Sequence, residues 1–353
     1  MSQVHPELQS DNNHQPSGLF AKALKTNNKT IWLFLLINFT VTVLHTIQAF
    51  NIHGRFESLW HIYYATSYLA ICVSLIFNRK SYDEFISYFE REIGAYMSND
   101  YIRKYIAKNR TLITIGYPYI LTIYIIYGAY NTIVIYQQSQ SYYRLIIQVF
   151  WNLFRTIIYL NHYVIIQFIT ECCLHAQVCF KIVEDQVESL KMSDSSLNFE
   201  EMQKIRQLYD VAIGKTRKLD SLLFWVLPVY YFTCIGTFQL NLIFIIYEYK
   251  PINLMLMVRE VFALILLTFH IANINRLANE AFNQVYSLSY KVESIEMQNE
   301  MRFFFTRIRR GNVGLTILKI VLITPAFVTS FGTLLLTIAL SIPTISREIE
   351  FKA

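Results

Sequence analysis

Cys172, His175 and Cys179 stand at i, i+3 and i+7. On a helix they share a face, so two thiolates and an imidazole could be offered to a soft metal. A fourth ligand is missing, and cysteines in such a place are more often packing residues or acylation sites. No Gly-rich phosphate loop occurs, and no Ser, His and Asp stand in a recognisable catalytic context. The chain is therefore not read as an enzyme, and no catalytic residue, metal or cofactor is assigned. The remaining chemistry is charge and hydroxyl groups set into apolar runs. Arg155, Arg259, Glu260 and Lys319 lie in such runs, where an unpaired charge costs about 2.5–3.5 kcal/mol. An ion pair between Arg155 and Glu260 would relieve two of them, and Lys319 could snorkel to an interface. Thr329, Thr333 and Thr337 recur four apart, a ladder of hydroxyls on one helix face that suits either close helix packing or a water-lined wall.

The elements that hold these groups are set by composition. Hydrophobic residues make up 54% of the 353, charged residues only 16%, and mean hydropathy is +0.32, against about 25% charge in a soluble domain. The fold class is all-α polytopic membrane protein. Apolar runs long enough to cross a bilayer fall at 31–50, 59–77, 112–136, 145–174, 222–247, 252–277 and 313–343, seven transmembrane spans. The polar stretch 1–30 lacks the apolar core and cleavage site of a signal peptide and is read as a cytosolic tail. Spans one to four then occupy 31–174, a charged helical linker 175–221, spans five and six 222–277, a basic anchor region 278–312, span seven 313–343 and an outer tail 344–353.

Lys and Arg placement orients the chain. The tail and the loops after even spans hold most of the 31 basic residues, whereas the opposite side has only Arg55, Arg144, Lys250, Arg347 and Lys352. That puts the N-terminus in the cytosol and, after seven spans, the C-terminus outside, the reverse of a G-protein-coupled receptor. No cysteine pair falls in an outer loop. The net charge of +6 suits an anionic inner leaflet, with membrane lipids and not nucleic acid as the partner. In the linker, Val183, Val187 and Leu190, then Ile205, Leu208, Tyr209 and Ala212, keep helical spacing, with Ser195 or Asn198 available as a cap between the two runs. Those helices, and the amphipathic stretch 299–310, could form a cytosolic bundle or lie on the membrane surface.

The last helix also carries a resemblance. Ser330-Phe331, then GTLLL, then Thr337-Ile338 match the spacing of the insect gustatory receptor signature, Thr-Tyr, five mostly apolar residues, Gln-Phe. The preceding run MRFFFTRIRRGNVGLTILKIVLITPAFVTSF looks like that family's aromatic-basic helix leading into its pore helix, and the inverted seven-span layout agrees along essentially the whole chain.

The resemblance implies a gustatory-type chemoreceptor, a ligand-gated non-selective cation channel in the membrane of chemosensory neurons. Its partners would be a small organic tastant, permeant cations and related subunits in a homo- or hetero-tetramer. The implied ligand pocket opens outward between spans two and six. At that depth lie Tyr64, Tyr68, Tyr127, Tyr130, Gln148, Trp151, Asn152, Arg155, Phe238, Gln239, Asn241, Arg259 and Glu260, rings for stacking and polar groups for orientation. The pore would be lined by Ser330, Thr333 and Thr337, with Val328, Leu334, Leu335 and Leu336 as an apolar constriction. The alternatives are an odorant receptor subunit that needs a co-receptor, or a non-channel membrane scaffold or transporter.

Overall fold

The structure is a computed structural model that describes residues 36–44, 46–47, 55–89, 91, 94–139, 142–192, 199–247, 251–288, 294–309 and 313–350. The cap candidates Ser195 and Asn198, the tail 1–30 and the last three residues lie outside them. Residues 36–44 are helical, and the elements that follow are α1 (Arg55–Phe77), α2 (Arg79–Tyr88), α3 (Asp100–Ser139), α4 (Tyr142–Met192), α5 (Phe199–Leu222), α6 (Val226–Tyr247), α7 (Pro251–Leu288), α8 (Ile295–Arg309), β1 (Thr316–Ile317), β2 (Val321–Leu322) and α9 (Pro325–Glu350).

Helices α3, α4, α6 and α7 contain stretches long and apolar enough to cross a membrane, and α1 and α9 carry shorter apolar stretches, Ile62–Phe77 and Pro325–Ser341. Their outer surfaces are greasy: Phe77, Ile125, Phe150, Phe232, Ile265 and Leu340 are all more than half exposed. A monomeric soluble protein rarely shows so much contiguous apolar surface. This is an all-α polytopic membrane fold, with one small hairpin as the exception among the described residues.

Helix α4 is the mast of the bundle. At 51 residues it is about 75 Å long, far more than a bilayer needs, so its second half continues beyond the apolar zone. There it packs against α3, α5 and α7, and nearly every residue from Ile165 to Val183 is buried. The linker periodicity is realised in this extension. Val183, Val187, Ile205, Tyr209 and Ala212 are buried, and the Tyr209 ring meets Phe180 at 5.8 Å and Phe304 of α8 at 5.3 Å. Burial pushes the Tyr209 phenol well above its ordinary pKa, so it stays neutral. Arg206 pairs with Glu300, joining α5 to α8 by charge as well. These helices form a protein-packed bundle, not a layer on the membrane surface.

Polar bonds tie the same end together. Tyr105 donates to Gln177 at 2.7 Å, Gln177 donates to the His270 carbonyl at 2.6 Å, and Asn273 donates to Tyr105 at 3.0 Å, linking α3, α4 and α7. The metal-ligand triplet of α4 has a packing role. His175 stacks on Phe89 at 3.8 Å with rings only 8° apart and stands 3.6 Å from Glu171, which pairs with Arg110. Among the described residues no group of three ligating side chains converges.

One expectation fails locally. The run 313–343 is not a single helix: residues 313–324 form the hairpin, in register Thr316↔Leu322 and Ile317↔Val321, and α9 starts only at Pro325. Pro325 supplies no N–H and suits the first helical turn, while the Thr324 hydroxyl accepts from the Phe327 N–H at 3.1 Å, a normal N-cap. Lys319 is therefore not inside a span. It sits at the hairpin tip, with Leu318 and Lys319 at φ 53° and 57° and Ile320 N–H donating back to Ile317 at 3.0 Å. The hairpin is held from below: Asp220 of α5 accepts from the Thr316 N–H at 2.6 Å and from its hydroxyl at 2.9 Å, and Asn275 of α7 donates to the Val313 carbonyl at 2.9 Å.

Candidate functional site

A nest of buried polar side chains lies where α1, α6 and α7 meet within the apolar zone. Its charges are Arg259 and Glu260, neighbours in sequence, both buried and ion-paired to each other. Tyr64 and Tyr68, one turn apart on α1, are buried with their rings edge to face at 4.7 Å. These phenols and Tyr119 of α3 stand near the Arg259 guanidinium, and Tyr68 also neighbours Glu260, Cys234 and Tyr230. Two charges cancel, and rings with hydroxyl tips surround them, which is the composition that orients a small polar-headed organic molecule.

Of the residues expected in the pocket, the structure brings together Tyr64, Tyr68, Arg259 and Glu260. Glu260 is paired with Arg259; its expected partner Arg155 has a side chain outside the described part of the structure. Asn152 belongs to a different seam: its amide donates to the Gly128 carbonyl at 3.1 Å and to Thr132 at 3.0 Å, clamping α4 to α3. Tyr130 is exposed, Tyr127, Phe238 and Gln239 are half-buried and Asn241 is buried. The side chains of Gln148, Trp151 and Arg155 lie outside the described part of the structure. Tyr119, Tyr230 and Cys234 were not foreseen. The pair Tyr230-Tyr231 could have drawn notice, since adjacent tyrosines in an apolar helix must each find a partner.

From the nest a chain of rings leads to α9. Tyr231 bonds Thr268 of α7 at 2.8 Å and sets its ring against Phe327 at 6.4 Å and Phe331 at 5.6 Å, which stack on each other at 5.4 Å. Phe327, Val328, Phe331 and Leu335 form the stripe by which α9 grips the bundle. Val328 and Leu335 thus face protein, whereas Leu334 and Leu336 stand exposed along with Ser330, Thr333 and Thr337. The ladder hydroxyls donate to their own helix, Thr333 to the Thr329 carbonyl at 3.0 Å and Thr337 to the Thr333 carbonyl at 2.9 Å. With the proton committed inward, each oxygen presents its lone pairs outward.

Between α6, α7 and α9 lies a cavity of about 300 Å³, walled by apolar side chains and reached by Glu260 and Cys234. It abuts the nest through Glu260 and the last helix through Phe331 and Gly332.

Compared by sequence, the chain matches no protein-family model and no curated protein. Compared by structure, it is similar to the insect olfactory receptor OR5 from Machilis hrabei, at a TM-score of 0.65 and 12% identity, covering 89% of this chain and 88% of that one. The same receptor in complex with eugenol matches with a TM-score of 0.69 at 11% identity over the same shares. At such identity the likeness is one of fold, and it extends over nearly the full length of both chains.

Proposed function

We propose that this chain is a chemoreceptor of the insect gustatory and odorant superfamily, acting as a ligand-gated cation channel of the taste type. What carries the reading is the fold shared with an insect olfactory receptor across nearly all of the chain. The last-helix spacing from Ser330 to Ile338 favours the gustatory branch. The chain traverses the membrane seven times, N-terminus in the cytosol and C-terminus outside, in sensory dendrites. Fourfold assembly is the arrangement the resemblance implies.

The ligand is a small organic molecule, as eugenol is for the neighbour, and it enters the nest around Tyr64, Tyr68, Arg259 and Glu260 from the outer side. The rings stack on it and the ion pair orients its polar head. Ligand binding shifts the equilibrium only by its differential affinity for the open arrangement. Here that difference passes through α6, where Tyr230 neighbours Tyr68 and Tyr231 touches Phe327 and Phe331. A small displacement of this ring stack turns α9. The face bearing Ser330, Thr333 and Thr337 then lines the conduit, its outward lone pairs replacing part of a cation's hydration, and Leu334 and Leu336 close it by dewetting.

Whole-cell recording with a ligand panel, from cells expressing the chain alone and with an odorant co-receptor, tests this. Evoked cation current from the chain alone is expected. Current that needs the co-receptor would assign the odorant branch. Surface-delivered protein without current in either setting would favour a scaffold or transporter.

A further inference from the structure

We infer that the cavity between α6, α7 and α9 is a second small-molecule site, one that takes an uncharged, mostly apolar alcohol such as an alkylphenol. The inference needs the fold and the membrane setting, and it does not rest on channel activity. Its walls are Phe238, Leu264, Phe331 and Leu335, with Cys234 and Glu260 the only titratable groups among them. The Glu260 side chain is only 1% exposed. One carboxylate oxygen takes Arg259, while Oε2 accepts no hydrogen bond among the described residues, with only the weakly donating Cys234 thiol beside the carboxylate. A buried acceptor of this kind favours any ligand that brings it a donor.

The nature of that donor follows from charge. Arg259 already balances Glu260, so an ammonium group would find no surplus negative charge to offset its own desolvation. A neutral hydroxyl makes the missing bond without adding charge. Thr268, the other polar wall residue, already donates to the Leu264 carbonyl at 2.6 Å and meets Tyr231 at 2.8 Å, so Glu260 is the group that orients the ligand. The rim supports entry from lipid: Ile265 of α7 is 59% exposed. Such a molecule partitions into the bilayer first and reaches the cavity sideways. Once there it lies against Phe331, Gly332 and Leu335, the inner stripe of the last helix.

Gly332 gives the test. A Cβ built there meets nothing within 4 Å, so a ring at this position fills the space with little disturbance to the bundle. Saturable binding of radiolabelled 4-butylphenol is measured on the full chain in lipid nanodiscs, corrected for empty discs, with 4-butylanisole as a competitor that lacks the O–H. The expected result is saturable binding for which the anisole competes about tenfold less well than unlabelled phenol, and its loss in Gly332→Phe. Ala339→Leu makes the same measurement should the phenylalanine variant not fold. No saturable binding, equal competition by the anisole, or unchanged binding in the filled variant each overturns the inference; equal competition would mark the cavity as a lipid-tail slot. None of these readouts involves current, so this site and the channel reading fail separately.

Discussion

Arg259 and Glu260 carry the cost of charge in the bilayer by neutralising each other. Removing one partner leaves the other buried and alone, so Arg259→Ala is expected to destabilise the fold by about 3–5 kcal/mol, read as a lower melting temperature of the purified protein. Replacing both by apolar residues of similar volume restores the fold and abolishes ligand response, which separates stability from recognition. The need for a partner was legible in the sequence, because any charge in an apolar run must be neutralised. That the adjacent arginine folds onto the glutamate was not, because neighbours in sequence point to different sides of a helix and only the packed side chains show the pair. Gly116 is similar. A Cβ there would fall 1.8 Å from the Tyr163 hydroxyl oxygen, so α3 can approach α4 only without a side chain. Gly116→Ala is expected to cost about 1–3 kcal/mol by overpacking, visible as a melting shift. The sequence shows the glycine but not the tyrosine that requires it.

The elements repeat that lesson at larger scale. Apolar length and three-to-four periodicity revealed the membrane helices and the helical runs of α5 and α8, because burial follows from side-chain type, but left open whether those runs pack together or lie on the membrane. The hairpin before α9 gave no such signal. Its tip, Leu318-Lys319, has positive φ at both positions without the Asn-Gly or Gly-Gly chemistry that marks this kind of turn, and the run 313–324 is apolar enough to read as more helix. Pro325, preceded by Thr324, was the available clue to a helix start. L-residues in that conformation cost about 1–2 kcal/mol each, so Lys319→Gly is expected to raise the melting temperature. Asp220 is the opposite case. It holds the Thr316 amide and hydroxyl, anchoring the strand that leads into α9 to the charged end of the bundle. Asp220→Ala removes both bonds, and its expected effect is a changed fraction of open channels at fixed ligand with little change in ligand affinity, measured by dose–response recording.

At the scale of the whole molecule, composition and charge asymmetry were enough for a polytopic helical membrane protein, since the bilayer imposes both. The four-residue spacing of Thr329, Thr333 and Thr337 marked one hydroxyl face of α9, but which of its apolar residues grip the bundle was not legible. Packing decides it: Phe327, Val328, Phe331 and Leu335 turn inward, leaving Ser330, Thr333 and Thr337 for whatever lies outside the single chain. In the proposed inverted topology the end of α9 lies beyond the cell, so an epitope after Ala353 is expected to stain unpermeabilised cells. The proposal that the hydroxyl face of α9 bounds a cation path is tested most directly by the reversal potential and single-channel amplitude of the ligand-evoked current in the wild type and in Thr337→Glu. A shift in ion preference or unitary conductance is the expected result; an evoked current with both unchanged would contradict it.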